Sequence, residues 1–160
     1  MPGRRPTARQ RAAIAACAGF ACEYCRSQEA FATHPFSVEH IVPRTRGGPT
    51  SPDNLALSCQ GCNNFKYTRI EAIDPLTRKP APLFHPRLQR WQDHFAWSAD
   101  ATLVIGTTPC GRATVGALQL NRESVVNCRR VLAALGEHPP GGPSEAISPP
   151  ESGTRRRRQP

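Results

Sequence analysis

No stretch of this sequence approaches the ~18 consecutive apolar residues that a membrane span requires. The Ala-rich segment from Ala12 to Ala21 is short and runs directly into Cys22, so no export signal is readable behind the basic N-terminus. The cysteines are odd in number, seven. A secreted disulfide framework prefers an even count and an oxidising compartment, so none is expected, and the expected location is cytoplasmic. No internal repeat is present beyond two Cys-x-x-Cys pairs, and no helix suited to reading base edges is visible. Acidic residues are scarce: 12 Asp and Glu stand against 21 Lys and Arg, giving a formal charge of +9 and a pI near 9.9. That balance favours an anionic partner, because each phosphate neutralised by Lys or Arg releases a bound counterion. Part of the excess is the run Arg155 to Arg158, which on its plainest reading is a solvated tail. A chain of 160 residues allows one compact domain with at most a small appendage.

Taken in order, residues 1–8 read as disordered, with two prolines and a glycine before any apolar pattern. Arg9 to Ala18 predict a short helix stopped by Gly19. Thr33 to Val42 predict a strand, and Pro43 ends its pairing. An aperiodic Gly- and Pro-rich loop follows, then a short strand Leu55–Leu57 and a helix from Gly61 or Cys62 to about Ile73. Residues 75–90, with Pro75, Pro80, Pro82 and Pro86, predict an extended surface connector. Trp91–Trp97 and Ala101–Ile105 predict a hairpin. Gly111–Leu120 and Glu123–Leu135 predict two helices, the second capped by Asn121, closed by Gly136 and burying Val125, Cys128, Leu132 and Leu135. Trp91, Phe95 and Trp97 suit core packing against those helices. Residues 139–160 are of low complexity and expected to be disordered. The expected units are a domain at 9–74, the connector at 75–90 and a hairpin-helix extension at 91–138.

The chemistry concentrates between Cys22 and Lys66. Cys22-x-x-Cys25 and Cys59-x-x-Cys62 each supply two thiolates from one turn, the set a structural Zn²⁺ wants in a tetrahedron. Such a site would clamp the entry of the intervening stretch to its exit, which matters in a small chain. A redox CxxC or four unrelated thiols are the alternatives, although two pairs argue against redox use. Cys17, Cys110 and Cys128 read as small apolar side chains. Within the insert, Glu39 and His40 end an apolar run. Imidazole accepts a proton near neutral pH, and a carboxylate is a hard ligand for a hard cation. Consecutive strand residues point to opposite faces, so the two share one centre only where the strand ends or distorts. A structural histidine, an Asp53-Asn54 turn and a helix-capping Asn63 are the duller explanations.

Glu39-His40, the glycine-rich loop, Asp53-Asn54-Leu55, Cys59-x-x-Cys62-Asn63 and Lys66 occur in an order that resembles the HNH endonucleases, in the branch with two cysteine pairs. The resemblance covers residues 22–66. It implies a small α+β fold, with a ββα-metal core clamped by zinc through Cys22, Cys25, Cys59 and Cys62. It further implies Glu39 and Asn63 holding a catalytic divalent metal (Mg²⁺ or Mn²⁺), His40 activating water, and Asn54 tying down the loop that orients the base. Many relatives have His where this chain has Asn63, which makes it an H-N-N variant. Lys66 occupies a frequent family lysine position.

The expected function is therefore metal-dependent hydrolysis of DNA phosphodiester bonds. Arg44, Arg46, Lys66 and Arg69 would meet DNA, largely at phosphate. The alternative is a zinc-clamped nucleic-acid-binding module without catalysis. Deleting residues 139–160 is expected to leave the fold intact and to weaken DNA binding mainly at low salt, since a flexible arginine run acts through counterion release. Thermal melts and a salt titration of the truncated chain check this, and loss of cooperative unfolding would contradict it.

Overall fold

The computed structural model describes residues 5–141. Helix α1 (Ala8–Cys17) opens on a reciprocal cap, in which Gln10 N–H donates to Thr7 Oγ1 and Thr7 N–H to Gln10 Oε1. Gly19, at φ +59°, ends its last turn. Strands β1 (Ser37–His40) and β2 (Leu55–Ser58) pair antiparallel, with Val38 opposite Leu57, Glu39 opposite Ala56 and His40 opposite Leu55. Helix α2 (Gln60–Lys66) follows β2 immediately. The order strand, loop, strand, helix is a ββα unit, and with its flanking elements the chain is of mixed α+β class.

Several elements depart from the sequence reading for identifiable reasons. β1 is shorter than Thr33–Val42, because a 3₁₀ turn at Glu29–Phe31 precedes it and Glu29 Oε1 takes the Phe36 N–H. α2 stops at Lys66 rather than near Ile73. Tyr67 turns to φ 48°, and the β-branched Thr68, Ile70 and Ile73 beyond it disfavour helix. Strand β3 (Glu71–Ile73) instead pairs with β4 (Pro80–Pro82). The expected surface connector at 75–90 thus supplies a hairpin strand and core, with Ala81, Leu83 and Phe84 buried. The turn between β3 and β4 is built on Asp74, whose carboxylate accepts the Leu76 and Thr77 amides and the Thr77 hydroxyl.

The C-terminal third supplies α3 (Trp91–His94), a β5 (Phe95–Trp97) and β6 (Val104–Gly106) hairpin, α4 (Pro109–Ala117) and α5 (Glu123–Ala134). Residues 91–94 are a helical turn, where a strand was expected. Asn121 does not cap α5. Its amide instead bonds both the N–H and the carbonyl of Val104, and Arg122 takes the cap position. Cys128 and Leu135 face solvent, and the buried stripe of α5 runs Val125, Arg129, Leu132. Gly136 closes the helix at φ +74°, with Glu137 N–H returning to Leu132 O.

One apolar cluster joins the early and late parts of the described chain: Ile14 of α1, Ala18 just after it, Tyr24, Leu55 and Leu57 meet Phe84, Phe95, Val104, Leu118 and Leu120. Tyr24, Phe84, Phe95, Trp91 and Trp97 form consecutive ring contacts, with centroid separations from 5.1 to 6.5 Å. Trp91 Nε1–H donates to the Tyr24 carbonyl at 3.0 Å. Pro139, Pro140 and Gly141 still line a cleft with Trp91 and Trp97. The expected tail therefore makes contacts as far as Gly141, and its remainder, with Arg155–Arg158, lies outside the described residues.

Asp74 receives Arg112 of α4 through two bonds of 2.8 Å, and this guanidinium holds its carboxyl well below the ordinary range. A depressed folded-state pKa adds stability above the unfolded value of about 3.9 and loses it as pH falls through the folded one. Asp74→Asn is therefore expected to lower Tm at neutral pH, the gap to wild type narrowing on acidification. Melts across pH check this, and a gap independent of pH contradicts it.

Candidate functional site

The four paired cysteines converge from two knuckles. Cys22 N–H donates to the Ser27 carbonyl and Arg26 N–H to the Cys22 carbonyl, closing the first turn. Cys59 caps α2, and its Sγ accepts the Cys62 N–H at 3.5 Å. The Sγ atoms of Cys22, Cys25, Cys59 and Cys62 all lie within 4.8 Å of one another, and the Cys25–Cys59 pair is 3.6 Å apart. A tetrahedral zinc with Zn–S near 2.3 Å has edges of roughly 3.8 Å, so the donor set and its dimensions fit a structural zinc. None of the four forms a disulfide. Four thiolates this close together and buried would repel one another, so they require a cation between them.

The knuckles are tied to both sides of the hairpin. Glu23, between the first cysteines, exchanges backbone bonds with Leu57 through its carboxylate and its N–H. The same carboxylate pairs with Arg87, whose Nη2 lies 3.0 Å from Oε2. Arg87 Nε–H also donates to the Pro52 carbonyl, beside the loop.

His40 ends β1, half-buried, with Nε2 2.8 Å from Thr50 Oγ1. That bond fixes the ring plane in either tautomer. Partial burial lowers the imidazole pKa from its ordinary value, and the charges of Arg44 and Lys66 add to the effect. Asn54 is buried and holds the loop from inside: Oδ1 accepts Val42 N–H at 2.8 Å, and Nδ2 donates to the carbonyls of Val42 and Pro49. Gly48 makes this closure possible, since a Cβ there would lie 1.8 Å from the Val42 carbonyl oxygen and 2.8 Å from Asn54 Nδ2. Asn63 lies in the first turn of α2, half-buried, directly after Cys62.

Glu39 is placed differently from the expectation of a metal ligand. The β1–β2 ladder is regular through Glu39 and His40, so the two side chains keep opposite faces. The buried Glu39 carboxylate accepts the Tyr24 hydroxyl on Oε1 and the Lys66 ammonium on Oε2, the latter at 2.9 Å. Burial pushes this carboxyl up, and Lys66 and Tyr24 pull against it. The Lys66 ammonium also donates to the carbonyls of His40 and Ile41. A cation site of three oxygens is thus filled by a side chain, and Glu39 as placed does not fit a divalent ion. Lys66, expected at DNA, is 1% exposed and cannot reach a phosphate. Arg44, Arg46 and Arg69 are exposed. Arg46 and Arg69 are braced on carbonyls: Arg46 Nε–H donates to Thr68 O, and Arg69 Nη2–H to Phe65 O and Ala117 O.

Tyr24, Thr50, Glu23 and Arg87 were not singled out from sequence. Tyr24 and Glu23 sit inside the first knuckle, where proximity to the cysteines was a usable signal, whereas Thr50 and Arg87 carry none locally. Removing any one of the four clustered thiolates, as in Cys59→Ser, is expected to abolish tight retention of about one zinc per chain and to destabilise the whole core. Metal analysis with thermal melts measures both, and an unchanged midpoint with zinc lost would contradict the clamp.

Among the described residues no helix is long and apolar enough to cross a membrane. Neither a curated protein nor a solved structure matches the chain. Residues 22–69 match the family model described as HNH endonuclease, which points to nuclease or nucleic-acid-binding function. The matched segment contains the ββα unit, His40, Asn54, Asn63 and all four clustered cysteines. With a four-cysteine cluster that fits the zinc-binding branch, the chain carries an HNH-family domain at residues 22–69.

Proposed function

We propose that this chain is a metal-dependent HNH endonuclease that hydrolyses DNA phosphodiester bonds, with His40 as the general base. The observation that carries the reading is the half-exposed His40 imidazole, fixed by Thr50 beside a loop that Asn54 locks. Phosphodiester hydrolysis needs a base that is neutral at working pH and set in one orientation. His40 meets both needs, because burial and its cationic neighbours favour the uncharged ring. Arg44, Arg46 and Arg69 would hold the backbone phosphates, and bracing of the last two on carbonyls lowers the entropy lost on binding. A divalent cation, Mg²⁺ or Mn²⁺, would supply charge stabilisation at the phosphate when bound. Asn63 remains the candidate donor for it, and Glu39 could join only by leaving Lys66.

That closure of Glu39 by Lys66 favours a second reading, a zinc-clamped nucleic-acid-binding module without catalysis. Separating a buried pair by deleting one partner costs about 3–5 kcal/mol, far more than an exposed carboxylate spends to meet a metal. The two readings share DNA binding and part on cleavage.

Plasmid nicking with Mg²⁺ or Mn²⁺ decides between them. His40→Ala is expected to keep DNA binding and zinc while losing roughly two to four orders of magnitude in rate, the usual scale for a general base. Cleavage by the unmodified protein should persist at pH below about 6.5, since a lowered imidazole pKa leaves more of the free base there. Glu39→Gln tests the metal role: a ligand's loss is recovered at high Mn²⁺, whereas a structural pair's loss appears as a lower Tm that metal does not restore. Binding without cleavage under either metal would establish the module, and wild-type cutting by His40→Ala would end the assignment to His40.

A further inference from the structure

Two arginines from the start and the body of the C-terminal helix reach the two cysteine knuckles, Arg122 at sulfur and Arg129 at a backbone carbonyl, and neither lies in the matched segment. Arg122, at the N-cap of α5, places Nη2 3.2 Å from Cys59 Sγ and Nη1 3.6 Å from Cys62 Sγ. Arg129, one of the buried residues of that helix, donates to the Cys25 carbonyl at 3.1 Å and to Leu120 O, Thr102 O and Asn121 Oδ1. Its Cζ lies 5.2 Å from the centre of the Trp97 ring. Among the described residues no carboxylate forms an ion pair with either arginine.

Buried or half-buried guanidinium groups require a countercharge or complete hydrogen bonding. Four thiolates around a dication form a net dianion, and that is the anion Arg122 faces. The approach is also sterically prepared: a Cβ on Gly61, between the second pair of cysteines, would fall 2.5 to 2.8 Å from the Arg122 guanidinium. Groups that bond to metal ligands from outside commonly shift metal affinity 10- to 100-fold.

We propose that Arg122 is a positioning residue for the zinc site, donating two N–H bonds to the sulfurs of Cys59 and Cys62 and so neutralising part of the cluster's charge. Zinc retention is then coupled to docking of α5, an element more than fifty residues beyond the second knuckle in sequence. Arg129 completes the link by binding the first knuckle's carbonyl from the same helix.

The test uses the full chain loaded with zinc, and with Co²⁺ as a spectroscopic probe. Arg122→Gln is expected to release zinc to a chelator about 10-fold faster and to shift the sulfur-to-cobalt charge-transfer band. Arg122→Lys, which keeps the charge, should restore part of both effects. Leu132→Ala destabilises the same helix without touching a sulfur, so it should lower Tm and leave the band in place. Gly61→Ala, which keeps the arginine but crowds it off the sulfurs, is the second variant should Arg122→Gln fold poorly, and it should reproduce the band shift. The proposal is overturned if Arg122→Gln leaves the band unmoved, or if its zinc release is no faster than that of Leu132→Ala at equal Tm. For a chain in which Arg122→Gln does not fold, an unshifted band in Gly61→Ala overturns it equally. No arm involves DNA, so the outcome is independent of whether the chain cuts.

Discussion

Four buried thiolates set the terms for this molecule. Like charges in a space under 5 Å across repel strongly in a low dielectric, so the cluster is stable only around a cation or in protonated form. A zinc ion, which the cluster's dimensions fit, would supply the cation and close the stretch 26–58 into a loop whose ends are fixed. Everything near His40 depends on that closure. β1 and β2 are four residues each, too short to be stable as an isolated two-stranded ribbon. They are held by the knuckle on one side, through Glu23 and Leu57, and by α2 on the other, through Lys66 and Glu39. The His40–Thr50 bond and the Asn54 lock then fix a loop that contains no regular element longer than a 3₁₀ turn.

The parts of this arrangement that were legible in the sequence are those whose signal is local. Two CxxC pairs announce a metal by spacing alone. Asp53-Asn54 before an apolar strand announces a turn, and Gly136 a helix stop. The misread elements are those where a distant partner outweighs local pattern. No glycine or proline interrupts residues 67–73, so the helix was expected to run on. The β-branched residues there suit a strand, and β3 forms because β4 pairs with it and Asp74 organises the turn between them. The prolines at 80 and 82 suggested an exposed connector, yet a two-stranded hairpin consists only of edges, where proline is tolerated. Arg129 was skipped in the α5 stripe because charge normally marks the solvent face. Two of its carbonyl acceptors, Thr102 and Cys25, come from segments far away in sequence.

Glu39 shows how a single geometric rule decides between chemical roles. An acidic residue and the histidine after it serve one centre only if the backbone stops alternating. Here the ladder continues in register through both residues, so alternation sends His40 to the loop face and Glu39 inward. An inward carboxylate needs donors, and Tyr24 from the first knuckle and Lys66 from α2 provide them. The pair therefore joins knuckle, strand and helix beneath the hairpin, and it adds stability by satisfying charges that burial would otherwise penalise. The hydrogen bonds already made to Tyr24 and Lys66 set the cost of moving this carboxylate to any other partner.

The distribution of arginine carries the same lesson to the surface. A formal charge of +9 suggests a broadly cationic face, but much of that charge is turned inward. Arg87 is spent on Glu23, Arg112 on Asp74, Arg122 on the sulfurs of Cys59 and Cys62, and Arg129 on backbone carbonyls. Lys66 is enclosed with Glu39. Of the four cations expected at phosphate, Arg44, Arg46 and Arg69 are the ones that stay exposed. Counterion release counts only charges that reach phosphate. If this face meets a nucleic acid, the salt dependence of binding should therefore follow those three positions.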